Sequence, residues 1–260
     1  MNYLLIVDGS YYHRWQAELC IESFKYHNLE DNLFLYYGKF NSSSYLKNIS
    51  NHKNKVFYKS SGDYFYDKLF ILKQFSENNK SICLLHPDML LQNPISLYEE
   101  NIITSYNPET LKIDKQLIVN EIKDIIKKTD SYPELIPVGN VLIFNQLPEI
   151  FFNSLIDNYI KKRIKKTCFL QSILKAYYGY FNNTRYTVKV DALEQTLMHD
   201  GINNNFIHYQ HGFAPNWSKN HYKNENFSLN NSQNPFDVLY EYNLNSSVNY
   251  MLKLVERYLI

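Results

Sequence analysis

The stretch most restrictive of how this chain can fold is the run YLLIVD at residues 3–8, followed by Gly9. A strand with one wet face alternates apolar and polar residues. An unbroken apolar run is instead the mark of a strand buried on both faces, as in a parallel sheet covered by helices. The run SICLLHPD at residues 81–88 repeats the pattern, and like the first it ends on a carboxylate.

The segments between these two runs fit the same layout. RWQAELCIESFKY places Trp15, Leu19 and Phe24 near helical spacing, which predicts an amphipathic helix over 14–26. NLFLYYG (32–38) and KVFYKS (55–60) predict two more strands, and YDKLFILKQFSE (66–77) a second helix. The expected fold class is therefore α/β, a mostly parallel central sheet flanked by helices. In such sheets ligands bind beyond the carboxyl ends of the strands, where Asp8 and Asp88 fall.

Farther along, an amphipathic helix is expected over 114–128, a strand over 137–144 entered through Gly139, and a long helix over 146–166 with basic last turns. A helix over 190–201 stopping on Gly201 is expected next, then a strand running into a loop over 204–217, and a terminal helix over 248–260. No linker-like stretch or internal repeat divides the 260 residues, so a single domain over 1–260 is expected.

Composition narrows the function classes. A net charge of +1 gives no electrostatic reason to expect nucleic acid or an anionic membrane as partner. No apolar stretch reaches the roughly 18 residues of a membrane span. Cys20, Cys83 and Cys168 are odd in number and widely spaced, which favours a reducing compartment over a disulfide framework. The N-terminus lacks a basic n-region, so a cytoplasmic location is expected, in a bacterium or a virus-infected host cell. The 24 tyrosines suit flat, hydroxyl-bearing ligands, but an AT-rich genome also inflates tyrosine and is the favoured account.

There is no G-x-G-x-x-G fingerprint, no Walker loop, no G-x-S-x-G elbow and no H-E-x-x-H. With seven glycines in all, a phosphate cradle of backbone N–H groups is not expected, so bound phosphates would need a cation or basic side chains. His86 and Asp88 form a candidate cation site, because residues i and i+2 of an extended segment project to one side and Pro87 restricts the backbone between them. The local sequence alone also allows a plainer account, with Asp88 capping a turn and His86 ending a strand. The stretch IHYQHGFAPNW brings His208 and His211 into a later loop, from which a third ligand could come. Imidazole with carboxylate suits Mn²⁺ better than Ca²⁺.

The ordered set of Asp8, His86-Pro87-Asp88, His208-Tyr209 and Trp217 resembles a GT-A glycosyltransferase, whose acidic DxD motif binds a divalent ion on a nucleotide-sugar diphosphate. More narrowly, YYHRWQAELCIESFK, HPDMLLQNPI, PVGNVLI, ALEQTLMHDGI and the IHY ending with Trp217, Lys219 and Tyr222 are similar to segments of the hydroxyproline O-arabinosyltransferases and peptidyl-serine O-galactosyltransferases. The resemblance implies a nucleotide-sugar donor, UDP-linked, and a glycan, peptide or lipid-linked sugar as acceptor, with retention of configuration. It implies that Asp8, Ser10 and Tyr11 meet the base and ribose, and that His86, Asp88 and His208 hold the metal. It also implies that Lys219 neutralises diphosphate, that Trp217 and Lys68 or Tyr66 reach the donor, and that Glu194 faces the sugar or acceptor. One position departs from the family: His86 stands where DxD has its first carboxylate. The lost ligand charge should disfavour Mg²⁺ more than Mn²⁺. A catalytically inactive glycan- or protein-binding module is the alternative, and a nucleotidyltransferase a third reading.

Overall fold

The structure is a computed structural model that describes residues 1–9, 11–39, 47–79, 81–95, 142–144, 153, 156, 190–192, 205–208 and 246–260. Strand β1 (Asn2–Val7) leads through Asp8 and Gly9 into helix α1 (Tyr11–Tyr26). Strand β2 (Leu33–Tyr37), the short helix α2 (Lys47–Asn51), strand β3 (Lys55–Phe57) and helix α3 (Tyr64–Asn78) follow. Strand β4 (Ile82–Leu85) completes the parallel set, which runs β3-β2-β1-β4.

The two faces of β1 are divided by the period of a strand, in which neighbouring side chains point to opposite sides. Tyr3, Leu5 and Val7 join Leu33, Leu35, Cys83 and Leu85 in a buried core under Ala17, Cys20, Ile21 and Phe24 of α1. Leu4 and Ile6 are equally buried, and α3 covers that side: Phe75 sets its ring edge-on to Phe34 and Tyr36 of β2. Burial on both faces is why β1 and β4 are unbroken apolar runs. At the end of α1, Asn28 takes a left-handed φ of 55° and Leu29 N–H donates to the Phe24 carbonyl at 2.9 Å, an αL stop made without glycine.

Five further elements complete the described structure. Strand β5 (Met89–Leu91) pairs antiparallel with β8 (Phe206–His208), which in turn pairs parallel with β7 (Val190–Ala192). Strand β6 (Leu142–Phe144) lies antiparallel beside β4. Helix α4 (Ser246–Leu259) packs along α1, burying Met251, Leu254 and Val255. The observed class is the expected one, α/β with a mostly parallel central sheet flanked by helices.

Several expectations are corrected. The strand expected over 81–88 ends at Leu85, because His86 to Asp88 form a turn in which Met89 N–H reaches the His86 carbonyl at 3.2 Å. The helix expected from residue 190 begins instead as strand β7, since the ladder with β8 overrides a local helical pattern. Helix α2 and strand β5 were not expected at all. The helix expected over 114–128 lies outside the described residues, as does that over 146–166 apart from Asn153 and Ile156, which are helical. No described helix is long and apolar enough to cross a membrane.

Candidate active site

The carboxyl edge of the parallel sheet is built by close backbone approach. A Cβ on Gly9 would lie 1.8 Å from the Lys39 carbonyl oxygen, and one on Gly38 would meet Gly9 N at 3.0 Å. Two glycines thus let the chain leave β1 and β2 side by side, with Asp8 held at the lip. His13, in the first turn of α1, brings Nδ1 within 2.8 Å of Asp8 Oδ1. Its ring lies 4.9 Å from the Tyr64 ring, and the Tyr64 hydroxyl donates to the Ile6 carbonyl at 2.8 Å. Tyr58 donates to the next carbonyl, Val7, at 3.1 Å. The last two carbonyls of β1 are therefore fixed by tyrosines from outside the sheet, and Asp8 by a histidine.

Helix α3 enters this edge with its N-terminus built from its own carboxylates. Asp63 Oδ1 accepts the Tyr66 N–H at 3.1 Å, and Asp67 accepts the Ser60 hydroxyl at 2.6 Å and the Ser61 N–H at 3.0 Å. Lys68, one turn beyond Tyr64, is buried, with Nζ 5.8 Å from the Tyr64 ring centroid. Burial pulls its ammonium down to about 8, and the negative charge of Asp88 opposes that fall. The charge of Asp88 favours the protonated form of this enclosed lysine.

Asp88 itself is buried at the end of the turn that follows β4. Its Oδ1 lies 3.9 Å from His86 Nδ1, too far for a hydrogen bond. A first-row ion sits about 2 Å from each nitrogen or oxygen ligand, so the pair would have to close by roughly 0.5–1 Å to hold one ion at ordinary ligand angles. The convergence comes from the turn, with Pro87 inside it, and not from the extended geometry expected of the segment. Met89, next in sequence to Asp88, pairs with His208 in the β5–β8 ladder. Among the described residues no group of three or more His, Cys, Asp or Glu could hold a metal ion, and the His208 side chain lies outside them.

The fold thus brings Asp8, Lys68, His86, Asp88 and the His208 backbone to one region, from four separate stretches of chain. The side chains of Tyr11 and Trp15, and all of Ser10, Glu194, His211, Trp217 and Lys219, lie outside the described residues. Tyr66 is half-buried and stacks on Phe70 at 6.4 Å. His13, Tyr58 and Tyr64 were missed from sequence. His13 carried a signal, five residues beyond Asp8 in the first turn of the predicted helix, but the tyrosines are visible as site groups only through their bonds to β1.

No protein-family model and no curated protein matches the sequence. Among solved structures, the galactosyltransferase LgtC in complex with donor and acceptor sugar analogs is 12% identical, with a TM-score of 0.47 over 81% of this chain and 87% of that one. A glycosyltransferase involved in glycosylation of the major capsid of PBCV-1 is 10% identical, with a TM-score of 0.48 over 81% and 93%. The apo-form glycosyltransferase GlyE of Streptococcus pneumoniae TIGR4 is 15% identical, with a TM-score of 0.48 over 80% of this chain and 54% of its own. Likeness this distant assigns neither family nor activity, so the function is argued below from the chain's own residues.

Proposed function

We propose that this chain is a GT-A glycosyltransferase that moves a sugar from a nucleoside-diphosphate donor, UDP-linked, to a hydroxyl of a glycan, peptide or lipid-linked sugar, with retention and with Mn²⁺ favoured over Mg²⁺. The observation that carries the reading is the β5–β8 register, which sets His208 opposite Met89 beside the buried Asp88. The ladder thus brings a histidine position from a distant stretch, by its backbone, next to the turn that carries Asp88 at the carboxyl edge, where α/β folds bind ligands. The narrower likeness to the hydroxyproline O-arabinosyltransferases belongs to the same proposal.

In this reading Asp8, oriented by His13, accepts from the ribose hydroxyls, and Ser10 and Tyr11 contact the nucleoside. Asp88, His86 and His208 hold the divalent ion, which when bound supplies positive charge to the diphosphate oxygens. Lys68 adds a second cation close to Asp88. Lys219 neutralises diphosphate charge, Trp217 contacts the donor, and Glu194 faces the sugar or acceptor. The bond from the anomeric carbon to the diphosphate oxygen breaks, and negative charge grows on the leaving group, where Lys68 stabilises it. The acceptor oxygen bonds to the anomeric carbon on the same face, and its proton passes to a departing phosphate oxygen.

Asp88→Asn removes one charge without changing shape. The expected outcome is a loss of transfer and of donor hydrolysis by at least about 100-fold, with unchanged circular dichroism. Undiminished activity would overturn the assignment of Asp88. The second reading, a module that binds glycan or protein without catalysis, has His86 in its favour, since imidazole replaces the first carboxylate of the motif. It would prevail if no nucleotide, with or without Mn²⁺, shifted the melting temperature while a glycan did.

A further inference from the structure

Gln16 is wholly buried in α1, and neither its Oε1 nor its Nε2 has a hydrogen-bond partner. The large majority of buried side-chain polar atoms are paired, and leaving both ends of an amide unpaired is costly. The place of this amide in the fold is set by its own helix. Gln16 and Ser23 are seven residues apart, so they share one stripe of α1. The Ser23 hydroxyl accepts the Leu91 N–H at 3.0 Å, which fixes that stripe against β5.

Moving from Ser23 back to Gln16 travels about 10.5 Å along α1 toward the carboxyl edge of the sheet, at 1.5 Å per residue. Moving from Leu91 back to Met89 travels about 7 Å, at 3.3 Å per residue, and reaches the turn that carries Asp88. The two paths run the same way. Leu91 lies at the far end, where the Tyr250 hydroxyl donates to its carbonyl and also reaches His27. Asp88 lies at the near end, where its charge acts on Cys20, one turn beyond Gln16, and on Lys68 and Tyr64. The unpartnered amide therefore lies on the side of α1 that faces β5, one turn from Cys20 toward the carboxyl edge. His13, which orients Asp8, is one turn toward the edge.

An amide offers two N–H donors and one acceptor, so its natural complement is a group that both accepts and donates, as an alcohol does. A phosphate accepts only and a metal ion takes only the oxygen, so either would leave half of the amide unmet. We propose that the Gln16 carboxamide hydrogen-bonds a hydroxyl of the sugar carried by the donor and so helps to set which sugar the site accepts. This rests on the glycosyltransferase reading above and extends it to a specificity residue. Gln16 is wholly buried, so the bond requires the sugar to enter beside α1.

Gln16→Met and Gln16→Leu remove the unpaired polar atoms at similar volume. Both variants are expected to melt no lower than the wild type. Dissociation constants are measured by calorimetry with Mn²⁺ for UDP, UDP-glucose, UDP-galactose and UDP-N-acetylglucosamine. The wild type should separate the three sugar nucleotides. Both variants should narrow that separation by about tenfold or more while holding UDP within about twofold, as expected when one buried hydrogen bond is lost. An unchanged separation, or an equal loss for UDP and the sugar nucleotides, would overturn the assignment. So would a lower melting temperature in both variants, because it would show that the amide already serves the fold. A wild type that binds none of the four ligands overturns the proposed function as well, whereas a wild type that binds while the variants still discriminate overturns only the role of Gln16.

Discussion

At the scale of single residues, the carboxyl edge depends on an absence of atoms. Gly9 has no room for a side chain, because the Lys39 carbonyl oxygen occupies the place a Cβ would take, 1.8 Å away. Gly9→Ala must push one strand end from the other. It is expected to cost about 1–3 kcal/mol by overpacking, read as a lower midpoint in urea unfolding with an unchanged slope. Asp8 precedes Gly9, so the same change should weaken UDP binding more than an equally destabilising substitution elsewhere in the core. Leu72→Ala on α3 is a suitable control, being fully buried.

At the scale of elements, α1, α2 and α4 are joined by one buried polar network. Glu18 accepts the N–H groups of Asn48 and Ile49, at 2.6 and 3.0 Å, from the start of α2. The Asn48 side chain takes a bond from Lys25 at 2.6 Å and gives one to Glu22 at 3.1 Å, and Arg257 of α4 donates to Glu22 at 3.1 Å. Burial raises the Glu18 carboxyl to about 7, against the opposing effect of those two N–H bonds and of Lys25. Between its ordinary value of 4.5 and about 7, the folded chain holds a proton that the unfolded chain has released. The contribution to stability is thus fully present at low pH and is lost as pH rises through about 7. Its ceiling is about 3 kcal/mol. Melting temperatures from pH 5 to pH 8 should fall in the wild type and change less in Glu18→Gln, which keeps one acceptor. A parallel slope in both proteins would show that another group titrates.

At the scale of the whole molecule, the candidate site is assembled from both sheets. Asp8 and the turn that carries Asp88 leave the parallel sheet, and His208 belongs to the smaller one, whose β5 packs in the same core through Met89 and Leu91. A ligand that binds across this junction stabilises the folded chain by mass action. At 100 times its dissociation constant it adds about 2.7 kcal/mol, which corresponds to several degrees in a protein of this size. UDP with Mn²⁺ is expected to raise the melting temperature by that amount and UDP alone by less. Equal shifts with and without the ion would count against the metal in the proposed mechanism.

The sequence by itself determined the central sheet. Residues 3–7 and 82–85 are apolar without interruption because both faces of β1 and β4 are covered, and that burial is written into every position. It also placed Asp8 just beyond the end of β1, whereas Asp88, expected at a strand end, lies buried in the turn after β4. Tertiary structure alone decided three things. Strand β7 exists because β8 offers it a ladder, whatever the helical pattern of its residues. Strand β5 is three residues long, too short for a period to show, and it is held by pairing with β8 and by Ser23. Gln16 is an ordinary polar helix residue in the sequence. Only the tertiary packing of α1 buries it, because burial and hydrogen bonding depend on what the rest of the chain brings alongside.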